Sequence, residues 1–431
     1  MNAITPIRRE FLFLQGPPGP FFRLLADALR EHGLGVHRIN LSGGDRYDWP
    51  HGSTDYRGTQ RGWPMAFDRF VRSNGITDLV VYGDCRPMHK VALRMAQLRG
   101  IHIHVFEEGY IRPDWMTLER DGVNGHSPLP RDPSLIEAAA RWLPPIPDLP
   151  PITSAFKRRA RDSYWHYHHV VTGKLRFPFY TSHRQGSITM DGIRWLMKFA
   201  RRKRRARQAE ATLAQIAGRK FFLFPLQLTG DYQIRAHSPF GSMPVAVDYV
   251  LESFAAFAPA DTLLLVKEHP LDSGKRNWRA YLERRCARLG VCDRVLHLDG
   301  GDLQSLSKTA QGMVCVNSTS GTLALEAGLP VAVLGDAVYD LPGVTHQGGL
   351  DLFWTAPEVP DRKLYAAFKK VLHASCLVRG GLASASGVRI LVRNSVERLL
   401  ADPETAVRDM RKVPVRRAAR QAEGTSPASA R

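Results

Sequence analysis

Acidic, cationic and hydroxyl side chains gather at a few points of this chain, each directly after a run of apolar residues. In residues 221–238, FFLFPLQLTGDYQIRAHS, the apolar run breaks at Thr229-Gly230 and delivers Asp231, with Gln227 before it and Arg235 and His237 after it. HVFEEGYIR carries the pair Glu107 and Glu108, then Arg112. A carboxylate at the end of a buried strand is held firmly enough to act as a nucleophile, and a second carboxylate can serve as acid or base. TLLLVKEHP ends in Lys267, Glu268 and His269; Lys267 is a cation for a phosphate and His269 a donor to an oxygen of a leaving nucleotide. VNSTSGTLALEAGLPVAVLG reads as strand, turn, helix and strand, so Ser318, Thr319 and Ser320 open a helix whose free N–H groups and dipole suit an anion. Glu326, about two turns further on, is within reach of a ribose diol. The chain contains no Asp-x-Asp pair, so no divalent-metal clamp on a sugar diphosphate is suggested and no metal ligand is assigned.

Such residues need a scaffold that ends several strands side by side. Over the first 110 residues, short apolar segments at 11–16, 36–41, 78–83 and 102–109 alternate with amphipathic stretches such as FFRLLADALREHG. The second half repeats this grammar at 221–227, 262–270, 294–300, 313–318 and 330–335. Strand and helix alternating at this spacing mean parallel sheets. The expected fold is therefore α/β, with two Rossmann-like doubly wound domains facing a cleft. The spacing predicts an N-terminal unit at 1–150, a basic helical linker at 151–214 after the Pro-rich LPPIPDLPP, a C-terminal unit at 215–400 and a basic, disordered tail at 401–431. Ligands of such sheets collect outside the carboxyl ends of the strands, where Gln15-Gly16, Gly83-Asp84 and the residues above fall.

Composition narrows the partners. The net charge of +19 favours a polyanion: nucleic acid, an anionic membrane surface or an acidic sugar nucleotide. Basic residues peak at 198–207, seven in ten, just after Trp195, Leu196 and Met197 and with Phe199 among them. That run fits either a solvated basic helix or a helix lying on an anionic membrane. Nucleic acid is not expected, because no aromatic and basic residues interleave on a strand platform and the strand-end residues would stand idle. The five cysteines, Cys85, Cys286, Cys292, Cys315 and Cys376, are scattered, odd in number and without a CxxC pair, so they read as ordinary thiols rather than a disulfide framework or a zinc site. No run approaches the roughly 18 apolar residues of a membrane span. The opening MNAITPIRREFLFLQGPPGP lacks a small-residue cleavage site, and a cytoplasmic location is expected.

Several blocks together resemble one family. FLFLQGPPGPFFRLLADAL, VVYGDCRPMHKVAL, HVFEEGYIRPDWMTLERDGVNGHS, FPLQLTGDYQIRAHSPF, LLVKEHPLD and NSTSGTLALEAGLPVAVLG are similar to capsule polysaccharide biosynthesis proteins of the KpsS/LipB type from Gram-negative bacteria, from residue 10 to about 355. The resemblance implies a two-domain GT-B fold and a retaining β-Kdo glycosyltransferase that uses CMP-Kdo, with no further cofactor, at the cytoplasmic face of the inner membrane. Its product would begin the Kdo linker on lyso-phosphatidylglycerol that anchors a capsule chain for export, alongside other capsule biosynthesis and export proteins. The N-terminal unit would then face the acceptor and the C-terminal unit bind the CMP-sugar. Residue by residue, the resemblance makes Asp231 the nucleophile and Glu107 or Glu108 the acid/base, Glu107 first. It gives CMP to Lys267, His269, Ser318, Thr319 and Ser320, and the Kdo carboxylate and hydroxyls to Arg112, Gln227, Arg235 and His237. The alternative is a non-catalytic scaffold of the capsule assembly and export complex.

Overall fold

The computed structural model describes residues 8–182, 188–228, 230, 232–272 and 274–401. Asp231 and all of the tail except Ala401 lie outside the described residues. The strands, in chain order, are β1 Glu10–Phe13, β2 Gly35–Asn40, β3 Thr54–Asp55, β4 Asp78–Tyr82, β5 His102–Glu108, β6 Trp115–Arg120, β7 Phe221–Pro225, β8 Leu263–Lys267, β9 Val295–Leu298, β10 Gly312–Cys315, β11 Val331–Val333 and β12 Leu377–Arg379. They form a seven-stranded sheet in the order β12-β6-β5-β4-β1-β2-β3 and a five-stranded sheet in the order β11-β10-β7-β8-β9.

All pairs of the second sheet are parallel. In the first, β3, β2, β1, β4 and β5 are parallel, and β6 and β12 add an antiparallel edge. Both sheets are thus doubly wound Rossmann-like layers of the GT-B type, and in each the strand order reverses once. The reversal falls between β1 and β4 in one sheet and between β7 and β10 in the other. Such switch points open a crevice at the carboxyl ends of the strands.

The central strands are continuous apolar runs because helices cover both faces. Leu263, Leu264, Leu265 and Val266 are all fully buried, with Leu263 and Leu265 facing one core and Leu264 and Val266 the other. The helix Phe21–Glu31 buries Phe21, Phe22, Leu25, Ala26 and Leu29, one stripe of a 3.6-residue repeat, against the first sheet.

The last elements lie elsewhere than the 215–400 range grouped them. β12 pairs with β6, and the helix Ala385–Leu400 puts Val388, Leu391, Val396 and Leu399 into the same core as Phe21, Leu25 and Leu29. The chain therefore ends its described course on the first sheet. β6 and β12 were not read from the sequence: β6 mixes polar with apolar residues, and β12 has three residues and sits at the edge, where no long apolar run is required.

The segment between the sheets is helical: Phe156–Thr172, Ile188–Ala200 and Arg202–Ile216. The first of these packs on the helix Gly43–Asp48, where the His166 Nδ1 meets Asp48 Oδ2 at 2.6 Å. The other two reach the second sheet, Lys198 donating to the Asp272 carbonyl at 2.6 Å and Arg205 gripping the Asp299 carboxylate with two nitrogens. Leu196, Met197 and Phe199 remain exposed. Among the described residues no helix is long and apolar enough to cross a membrane.

Candidate active site in the cleft

The first sheet delivers its chemistry at the ends of β4 and β5. Gly83 turns the chain after β4 with φ 72°, and a Cβ there would stand 3.3 Å from Glu107 Oε2. Glycine meets both demands. Glu107 and Glu108, consecutive on one strand, point to opposite faces and meet opposite surroundings. Glu107 accepts the Glu108 N–H at 3.0 Å. Burial, with the negative charges of Glu108 and Asp84 adding and Arg86 opposing, pushes its carboxyl up to about 7. Burial would raise Glu108 as well, but ion pairing with Arg159, the Arg112 guanidinium at 3.9 Å and the Tyr82 hydroxyl at 3.2 Å outweigh it and hold that carboxyl below its ordinary value. One acid is thus able to gain and lose a proton near neutrality while its neighbour stays charged, the pattern that separates acid/base from electrostatic roles.

Across the cleft, Gln227 and Asn317 close the second switch point. Gln227 Nε2 donates to Asn317 Oδ1 at 2.9 Å and the Asn317 N–H returns to Gln227 Oε1 at 3.2 Å. Asn317 Nδ2 also donates to the carbonyls of Gln233 and His237, at 3.0 and 3.1 Å, so it pins the short helix Tyr232–Ala236 that follows Asp231. Lys267 is buried at the end of β8; burial lowers its pKa while Asp299, Asp302 and Glu268 favour the charge. His269 Nδ1 accepts the Leu271 N–H at 3.0 Å, which leaves the proton on Nε2. Burial, then Lys267, depress its pKa to about 4, with Arg112 of the first sheet contributing, so it is a neutral donor at physiological pH.

The Ser318–Ser320 turn begins the helix Ser320–Glu326, and the Ser318 hydroxyl both accepts the Ser320 N–H at 3.1 Å and donates to Ser320 Oγ at 2.9 Å. Thr322 Oγ1, bonded to the Tyr110 carbonyl at 3.1 Å, ties this helix to the first half. Glu326 is not brought to the turn. It closes the far end of the helix, about 9 Å along the axis, and pairs with Lys369 at 2.6 Å in solvent. Arg235 stacks over Tyr232 at 4.9 Å. His237 is buried against Cys85, its Nε2 3.2 Å from the thiol. Arg159 escaped the sequence reading because it lies in a basic helix with nothing local to single it out; only the packing of Phe156–Thr172 brings it to Glu108.

Two doubly wound sheets, joined where Thr322 bonds the Tyr110 carbonyl and where the Arg112 charge reaches His269, define a protein of the two-domain GT-B class. Residues 77–382 match the capsule polysaccharide biosynthesis protein family, and the chain belongs to it. It is 34% identical over 379 residues to the capsule polysaccharide export protein KpsS of Escherichia coli, covering 86% of this chain and 96% of that one. It is 34% identical over 375 residues to the capsule polysaccharide modification protein LipB of Neisseria meningitidis serogroup B, covering 84% and 88%. Among solved structures it is similar to the KpsC β-Kdo 2,7 transferase of Thermosulfurimonas dismutans, at 13% identity and TM-score 0.43, over 91% of this chain and 100% of that one.

Proposed function

We propose that the protein is a retaining glycosyltransferase that moves β-Kdo from CMP-Kdo to lyso-phosphatidylglycerol at the inner-membrane surface, starting the Kdo linker of a capsular polysaccharide. The observation that carries this reading is the acid pair at the end of β5: the buried Glu107, its carboxyl pushed up to about 7, beside a Glu108 paired with Arg159 and Arg112, the same Arg112 whose charge reaches the neutral donor His269.

In the double displacement, Asp231 attacks the anomeric carbon as the bond to CMP breaks, and the electron pair leaves with the phosphate. Lys267 and His269 Nε2–H suit that phosphate, and a good leaving group needs little further protonation. A Kdo ester on Asp231 results. Glu107, as carboxylate, takes the proton of the acceptor hydroxyl while that oxygen attacks the same carbon and restores Asp231; the proton on Glu107 then returns to solvent. Two carboxyls of a retaining site stand about 5–5.5 Å apart in the glycosidase template, which is the spacing this reading requires of Asp231 and Glu107. The exposed Leu196, Met197 and Phe199 beside Arg201, Arg202 and Arg204 suit an anionic lipid surface.

Intact-mass analysis tests the mechanism. With CMP-Kdo and no acceptor, or in Glu107→Gln, one Kdo should accumulate on a peptide that contains Asp231, and Asp231→Asn should abolish it. An adduct on Glu107 or Glu108 would exchange the roles, and retained configuration without any adduct would point to a front-face mechanism. The word "export" in the name of the Escherichia coli relative supports a second reading, a non-catalytic component of the export complex. Failure of the purified wild-type protein to form product from CMP-Kdo and acceptor, while it still assembles with the other capsule proteins, would favour it.

A further inference from the structure

Four metal-ligating side chains meet where the two halves touch. The donor atoms of Asp84, Cys85, His126 and His237 all lie within 4.8 Å of one another. Asp84 and Cys85 follow β4, His126 ends the turn Asn124–His126, and His237 comes from the other half, just after the helix Tyr232–Ala236. The Cys85 Sγ is 3.2 Å from His237 Nε2, His126 Nδ1 is 2.9 Å from Asp84 Oδ2, and the two imidazole centroids are 4.6 Å apart.

Two further features point to a ligand. Asp84 is only 5% exposed, and although its Oδ2 takes the Val123 N–H and His126, its Oδ1 is buried with no hydrogen-bond partner among the described residues. Such an oxygen costs stability unless something meets it. Gly125 lets the second imidazole close in, because a Cβ there would stand 2.4 Å from His237 Nδ1.

We propose that Asp84, Cys85, His126 and His237 form a tetrahedral site for a zinc-class divalent cation that clamps the two halves together. One thiolate, two imidazoles and one carboxylate match zinc in number and softness and do not suit magnesium. Around a centre with bonds of about 2.0–2.3 Å, tetrahedral donors stand about 3.3–3.7 Å apart, so the side chains need move by only about an ångström. On binding, the Cys85 thiol gives its proton to solvent, the sulfur and His237 Nε2 each bond to the metal, and their mutual contact is replaced. The site does not depend on the glycosyl-transfer reading.

The test uses the full-length protein, stripped with a chelator and titrated with cobalt(II). One cobalt per chain should bind with thiolate-to-metal charge-transfer absorption in the near ultraviolet, and zinc should displace it. Cys85→Ser should abolish the absorption, whereas substituting Cys292, the exposed thiol, should leave it unchanged. His237→Ala and His126→Ala should each weaken binding by more than the roughly 10–100-fold that loss of an outer-shell partner costs. The His126 side chain is 54% exposed, so its variant keeps the test valid should Cys85→Ser misfold. Absence of the charge-transfer band, its persistence in Cys85→Ser, or full affinity in His237→Ala would each overturn the clamp.

Discussion

Glu107 and Glu108 differ by one position and by everything around them. Glu107 has a raised carboxyl and accepts the Glu108 N–H; Glu108 has Arg159, Arg112 and Tyr82. If Glu107 is the base, kcat/KM for the acceptor should rise with pH through about 7 and level off above it. Arg159→Met should raise the Glu108 pKa, add a second titration to that profile and lower turnover, while Arg159→Lys should restore much of it. Glu119 offers a test free of catalysis. It is buried, and burial pushes its carboxyl up to about 7 against an ordinary 4.5, even though the Ser127 and Tyr110 hydroxyls oppose the shift. A raised carboxyl pKa means the folded state holds the proton more tightly. That stabilisation is complete below about pH 4.5 and is lost as pH rises through about 7. Thermal melts should therefore show stability falling between pH 5 and 8, by on the order of 2 kcal/mol per such group, and Glu119→Gln should flatten the fall.

Elements carry two further consequences. The helix Ala385–Leu400 packs on Phe21–Glu31, at the opposite end of the chain. Leu391 is fully buried in that contact, and truncation to alanine should cost about 2–5 kcal/mol. Hydrogen exchange should speed up first in Phe21–Glu31 and not in β7 or β8, whose cores are separate. The pair Ile188–Ala200 and Arg202–Ile216 is the candidate membrane face. Arg205 is engaged with Asp299, so charge reversal belongs at the exposed Arg201, Arg202 and Arg204. At about 1 kcal/mol per basic residue near an anionic surface, the triple change to glutamate should release the protein from phosphatidylglycerol vesicles, and salt should do the same to the wild type. Sedimentation unchanged by the triple change would remove this face from the proposal.

The whole molecule sets how a nucleotide is read. If CMP bridges Lys267, His269 and the Ser318–Ser320 turn without a metal of its own, it should raise the melting temperature equally with and without added magnesium. The stabilisation is about 2.7 kcal/mol at a hundredfold excess over Kd, and His269→Ala should remove most of it. A strict magnesium requirement would count against that placement.

The α/β class, the two sheets and most strand ends were legible in the sequence, because a strand covered on both faces must be apolar along its length and the polar residue after it stands out. The Ser318–Ser320 helix start and the strand-end Glu107 and Lys267 were legible for that reason. Local order could not show which neighbours a strand end receives. Glu107 and Glu108 are equivalent in sequence, and their separation follows from Arg159, 51 positions beyond Glu108 and delivered by a helix packed from outside the sheet. Glu326 looked close to its turn by count, but a helix carries it away along its axis. The cysteines showed no metal spacing because Cys85 meets His237 across 152 positions, between the two halves. The return of Leu377–Leu400 to the first sheet was equally invisible, since an edge strand and an outer helix need only short or one-sided apolar patterns. Side-chain type and apolar period are local properties of a chain; electrostatic environment and the meeting of distant loops depend on packing, and packing is settled only when the whole chain has closed.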